Sequence, residues 1–167
     1  MGIVENIKKA EEDNSRKALE MDEKIRLELE QINHQRDIRE NTITDEAEKI
    51  LKQETSVYQI FEEIQKKILT ETNSQIRGVV SDLEKSYTLS LRWNINFSDD
   101  SYDYISASVY AQRKILSIGS GWKHRKNFNF DDVKTSGDEI EKVLAGAFLE
   151  PDHKSPAPEP GDIGGGR

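Results

Sequence analysis

Residues 87–97 read Tyr87-Thr88-Leu89-Ser90-Leu91-Arg92-Trp93-Asn94-Ile95-Asn96-Phe97. Apolar and polar side chains alternate strictly along them, the two-residue period of a strand with one face buried and the other wet. Ser98-Asp99-Asp100-Ser101 supplies turn chemistry, and Tyr102 to Gln112 is again rich in aromatic and β-branched residues, so the two runs form an antiparallel hairpin. A third strand is expected over about Arg113 to Ile118, with Gly119-Ser120-Gly121 as a flexible connection. Trp122 to Phe130 then places Trp122, Phe128 and Phe130 on one face and Lys123, Arg125, Asn127 and Asn129 on the other, with His124 and Lys126 interrupting the aromatic side. The pattern predicts a meander of three or four antiparallel strands whose edges need cover.

Downstream, Ser136-Gly137-Asp138-Glu139 has the pattern of a capping box, and Ile140, Val143, Leu144, Ala147 and Phe148 come after it at helical spacing. This helix is expected to lie on the apolar face of the sheet. Pro151 ends it, and residues 151–167 have the Pro- and Gly-containing composition of a disordered tail.

Upstream, no glycine or proline interrupts Ile3 to Arg77. So long a charged tract predicts a coiled-coil-like helical arm over residues 1–77, either one rod or a helical hairpin divided near Asn41-Thr42-Ile43-Thr44, where N-cap candidates precede Asp45 and Glu46. Gly78 marks the boundary, with one or two further helical turns expected over Val79 to Lys85 and a sheet-plus-helix domain over residues 78–150. Within the arm, Ala47, Ile50, Val57, Phe61, Ile64 and Ile68 recur in heptad fashion, broken only by Glu54. A thinner stripe of Ala18, Met21, Ile25, Leu29 and Ile32 lies upstream and runs into Arg36 and Arg39. Pairs such as Glu20–Lys24 and Glu48–Lys52 add only about 0.2–0.5 kcal/mol each, so stability must come from packing against another helix. The fold class is α+β.

The chain has 167 residues, a formal charge of −8 and no cysteine, which removes disulfides, thiolate metal sites and cysteine nucleophiles. The excess of acid argues against general affinity for phosphate backbones or anionic membranes. Arg113 to Lys126 is an exception, carrying 5 basic and no acidic residues. No apolar segment is long enough for a signal peptide or a membrane span, and a cytoplasmic protein is expected.

Catalytic motifs are absent: there is no nucleophile elbow, phosphate-binding loop or dinucleotide fingerprint, and His34, His124 and His153 have no metal-ligand spacing. Asp99, Asp100 and Asp103, and the pair Asp131 and Asp132, fit turns better than acid–base work. Asp132-Val133-Lys134 matches half of a nuclease element, but Asp22-Glu23-Lys24 and Asp152-His153-Lys154 match it equally. The expectation is a protein that is no enzyme and holds no cofactor or metal. It associates with itself or with a helical partner through the stripe of Ala47, Ile50, Val57, Phe61, Ile64 and Ile68, with Phe61, Ile64 and Ile68 carrying most of the association. The alternatives are an acidic inhibitor or immunity-type protein for one basic target, and a single-strand nucleic-acid module using Arg113, Lys114, Trp122, Lys123, Arg125 and Lys126.

Overall fold

The computed structural model describes residues 2–95, 101–121 and 123–156. It divides into two compact units, with the boundary between Asn41 and Thr42. The first unit is helix from Ile3 onward, the greater part of α1 (Ile3–Lys49). Its surface is laced with short-range ion pairs, among them Arg26 with Glu23 at 2.6 Å and with Glu30 at 2.9 Å. Glu20 lies 3.8 Å from Arg16, the partner it takes in place of Lys24. Each pair is exposed and screened by solvent, so it adds little to stability.

The expected break at residues 41–44 does not occur, because α1 continues to Lys49. Ile43 and Ala47 are buried there, and burial outweighs the small propensity penalty of β-branched residues. The helix changes character later. A π-helical turn at Ile50–Glu54 comes next, and Thr55 then takes an extended conformation with φ −132° and ψ 164°. The Thr55 amide and hydroxyl both donate to the Ile50 carbonyl, at 2.9 and 3.0 Å. The wide turn buries Ile50 and Leu51 side by side. α2 (Val57–Lys67) starts afresh. Glu54 therefore breaks the heptad because two helices meet near it; the repeat across Ala47 to Ile68 belongs to no single rod.

The sheet has more strands than the sequence pattern predicts. β1 (Ser74–Ser81), β2 (Ser86–Trp93), β3 (Tyr102–Tyr110), β4 (Ile115–Ser120) and β5 (His124–Asn129) pair in that order, each antiparallel to the next. β1 occupies residues expected from the sequence to be helical. Ile76, Gly78 and Val80 face Leu91, Leu89 and Tyr87 on the apolar side, so a glycine fills the middle apolar slot and hides the alternation. The glycine is required: a Cβ at Gly78 would sit 1.9 Å from the Tyr87 hydroxyl, which passes over it. Residues 96–100, the expected end of the second strand and most of its turn, lie outside the described residues.

α3 (Gly137–Leu149) packs on β4 and β5, as expected, and Ile140, Leu144 and Ala147 are buried beneath it. The capping box does not form, since the Ser136 hydroxyl donates instead to the Asp132 carbonyl at 2.8 Å. Part of the expected tail is ordered: β6 (Asp152–Lys154) pairs with Tyr102–Tyr104 of β3. Residues 157–167 of the tail lie outside the described residues. The core joins Leu89, Leu91 and Trp93 with Ile105, Val109, Leu116, Ile118 and Phe128, closed by Val57, Phe61 and Ile64 of α2 and by α3. The opposite sheet face is polar, with the Thr88 and Ser108 hydroxyls bonded at 2.8 Å and Arg125 donating to Ser106 at 3.1 Å.

Candidate interaction surfaces

Along α1 the side chains advance by roughly 100° per residue, so Ile3, Ile7, Ala10, Ala18, Met21, Ile25, Leu29 and Ile32 fall within a single sector about 100° wide. The six larger residues of this stripe are between 48% and 77% exposed. In the same helix, Ile43 and Ala47 continue the phase and are buried. Sequence reasoning found the middle of this exposed stripe but not its beginning at Ile3 and Ile7, which Asn14 separates from the rest.

The second stripe has a different fate. Ala47, Ile50, Val57, Phe61 and Ile64 lie in the core of the second unit, and Ile68 alone stands at its surface, 60% exposed. Ile68 borders a groove of about 580 Å³ between α2 and α3, lined also by Ile60, Ile64, Ala145, Phe148 and Leu149. Its polar lining is Ser56, Gln59, Glu63, Lys67 and Glu141, with Lys67 held by Glu63 at 3.2 Å.

The basic residues do not form one patch. Arg113 and Lys114 lie in the turn before β4, and Arg113 stacks over Tyr110 at 5.6 Å. Lys123 and Arg125 lie at the other end of β4, about six residues or ~20 Å away. Arg125 is bonded to Ser106 and to the Gly121 carbonyl, and lies 3.9 Å from Asp152. Lys126 projects on the opposite side of the sheet and pairs with Glu139 of α3. Trp122 is outside the described residues.

Several titratable groups of the second unit are held by local contacts. Asp103 accepts from Asn94 at 2.7 Å and lies 2.8 Å from His153 Nδ1, which fastens β6. Asp152 accepts from the Gly121 amide at 2.7 Å, and His124 lies 3.0 Å from Glu150. Burial pushes the Tyr87 phenol above its ordinary pKa, reinforced by Glu48. Burial does the same to Tyr104, with Asp152 adding to it. The hydrogen bond to Glu48 raises the Lys52 pKa. Among the described residues, no group of three or more His, Asp or Glu is placed to hold a metal ion. No helix among them is long and apolar enough to cross a membrane.

These elements define a two-layer α+β domain preceded by a helical unit whose apolar stripe is exposed. No family model matches the chain, and no curated protein or solved structure matches it either.

Proposed function

We propose that this is a non-enzymatic assembly protein whose N-terminal helix associates with the same helix of a second copy. The observation that carries the proposal is the exposed stripe from Ile3 to Ile32. Apolar faces of that length are costly in water, and helices of this composition gain most of their stability from packing. Covering a side chain of the Ile or Leu class contributes about 1.5–3 kcal/mol, far more than the exposed ion pairs beside it. The proposed association surface is upstream of the heptad at Ala47 to Ile68, of which Ala47, Ile50, Val57, Phe61 and Ile64 are engaged in the core.

Light scattering on the full-length chain tests this. A dimer or larger species whose mass is insensitive to moderate salt is expected, and Ile25→Glu with Leu29→Glu should lower that mass. A wild-type monomer, or an unchanged mass in the variant, would overturn the proposal. The dispersal of Arg113, Lys114, Arg125 and Lys126 over two ends and two faces of the sheet lends no support to the single-strand nucleic-acid alternative.

A further inference from the structure

The two edges of the sheet are protected very differently. β5 is six residues long and carries His124, Arg125 and Lys126, the kind of charged edge that discourages pairing with another strand. β1 is eight residues long, its register with β2 runs unbroken from Ser74↔Trp93 to Ser81↔Ser86, and it contains no proline or lysine. Its other edge has no ladder partner among the described residues. Gln75, Arg77, Gly78 and Val79 are exposed, and Val79, at 48%, is the one strand residue among the described large hydrophobics left open to solvent. β1 has no bulge, no inward charge and is not short; its edge carries one charged side chain, Arg77, and at its start Gln65 of α2 donates to the Ser74 carbonyl at 3.1 Å.

The sequence of β1 is also self-complementary. Antiparallel pairing with a second copy about Gly78 places Ile76 opposite Val80, Arg77 opposite Val79 and Gln75 opposite Ser81. Apolar residues then meet on the core side of both sheets, and the only charge faces a valine. Pairing about Arg77 would set two like charges opposite each other, which is destabilising. Because the residues opposite each other have the same parity, their outward N–H and C=O groups meet as hydrogen-bonded pairs.

We propose that the free edge of β1 joins the β1 edge of a second copy in this register, extending one sheet across two molecules. The proposal uses β1 alone and does not rest on the association proposed for α1. It fits a second copy of this chain, and a partner protein offering an extended segment is the competing occupant.

The test uses the full-length chain carrying Ile25→Glu and Leu29→Glu, which isolates the edge from α1. Light scattering in this background should give a dimer, and adding Val79→Lys should halve its mass. The absence of native cysteine allows the register to be read directly. Arg77→Cys in one batch and Val79→Cys in another should form an intermolecular disulfide only when the batches are mixed. Directly opposite residues lie about 4.5–5.5 Å apart, within disulfide reach, whereas identical positions in this register are ~8 Å apart and beyond it. A monomer in the α1-variant background would overturn the proposal and leave β1 to an extended segment of another protein. Cross-links of equal yield within each single batch would overturn the register. Either result leaves the α1 proposal standing, since that is decided by the mass difference between wild type and the α1 variant.

Discussion

Residues 18–32 and residues 43–64 carry apolar side chains at nearly the same spacing, yet Met21, Ile25, Leu29 and Ile32 are exposed while Ile43, Ala47, Val57 and Phe61 are buried. Both stretches begin within α1 or continue directly from it. The second stretch packs against a sheet and α3 within its own unit, and the first carries ion pairs along its own helix. A helical period thus identifies the face that is to be covered. It carries no information about whether the cover comes from the same chain.

The largest effect should come from breaking the buried side of this comparison. Phe61→Asp places a carboxylate at a fully buried position and should cost more than about 4 kcal/mol, enough to abolish cooperative unfolding of the second unit. Ile25→Asp at the exposed counterpart should leave that transition in place while lowering the assembly mass. Thermal unfolding monitored by near-ultraviolet circular dichroism distinguishes the two, and equal losses in both variants would erase the distinction drawn between the stretches.

A smaller effect is expected where sheet and helix meet. Gly78→Ala pushes a methyl group into the Tyr87 hydroxyl and should destabilise by roughly 1–3 kcal/mol, read from urea unfolding. An unperturbed midpoint would mean that Tyr87 moves aside freely.

Alkaline pH sharpens the same contact. The Tyr87 and Tyr104 phenols are held above their ordinary value of 10.0, chiefly by burial, so the unfolded chain releases these protons first. Stability is therefore unaffected below about pH 10 and falls as pH rises from there through the folded values. Tyr87→Phe should make the decline shallower; a slope identical to wild type would show that Tyr87 does not contribute.

The smallest change should be a gain. Lys85 and Lys114 close the turns before β2 and β4 with φ of 51° and 52°, a left-handed conformation that disfavours side chains. Lys114→Gly should stabilise by up to about 1 kcal/mol, detected as a rise in Tm, and a fall would show that the added chain entropy of glycine outweighs the relieved backbone strain.

Much of the second unit was legible because its signals are local. Tyr87 to Trp93 alternate without exception, and Ile140 to Phe148 repeat at helical spacing, so β2 and α3 could be placed without knowing their neighbours. β1 was hidden because Gly78 occupies an apolar slot, and that choice makes sense only once Tyr87 is seen crossing it. The π-helical turn was hidden for a related reason: Glu54 reads as a blemish in a heptad until Thr55 is seen ending the helix. β6 has no strand signature in Asp152-His153-Lys154 and is held by Asp103 and Gly121, far away in sequence. Of the candidate surfaces, the stripe at Ala18 to Ile32 could be read directly, whereas the free edge of β1 required knowing the strand order.

β3 illustrates a consequence of that order for a chain made from one end. Its pairing with β2 spans Asp103 to Tyr110, but on the other side β4 reaches only from Ser106, and the gap is filled by β6. A nascent chain that has emerged as far as Glu150 has β1 to β5 yet holds Asp103 and Tyr104 paired on one side only and Tyr102 without a ladder partner among the described residues. Completion of the sheet therefore waits for residues 152–154, and a chain truncated at Glu150 should be nicked near Tyr102 by limited proteolysis under conditions that spare the longer one.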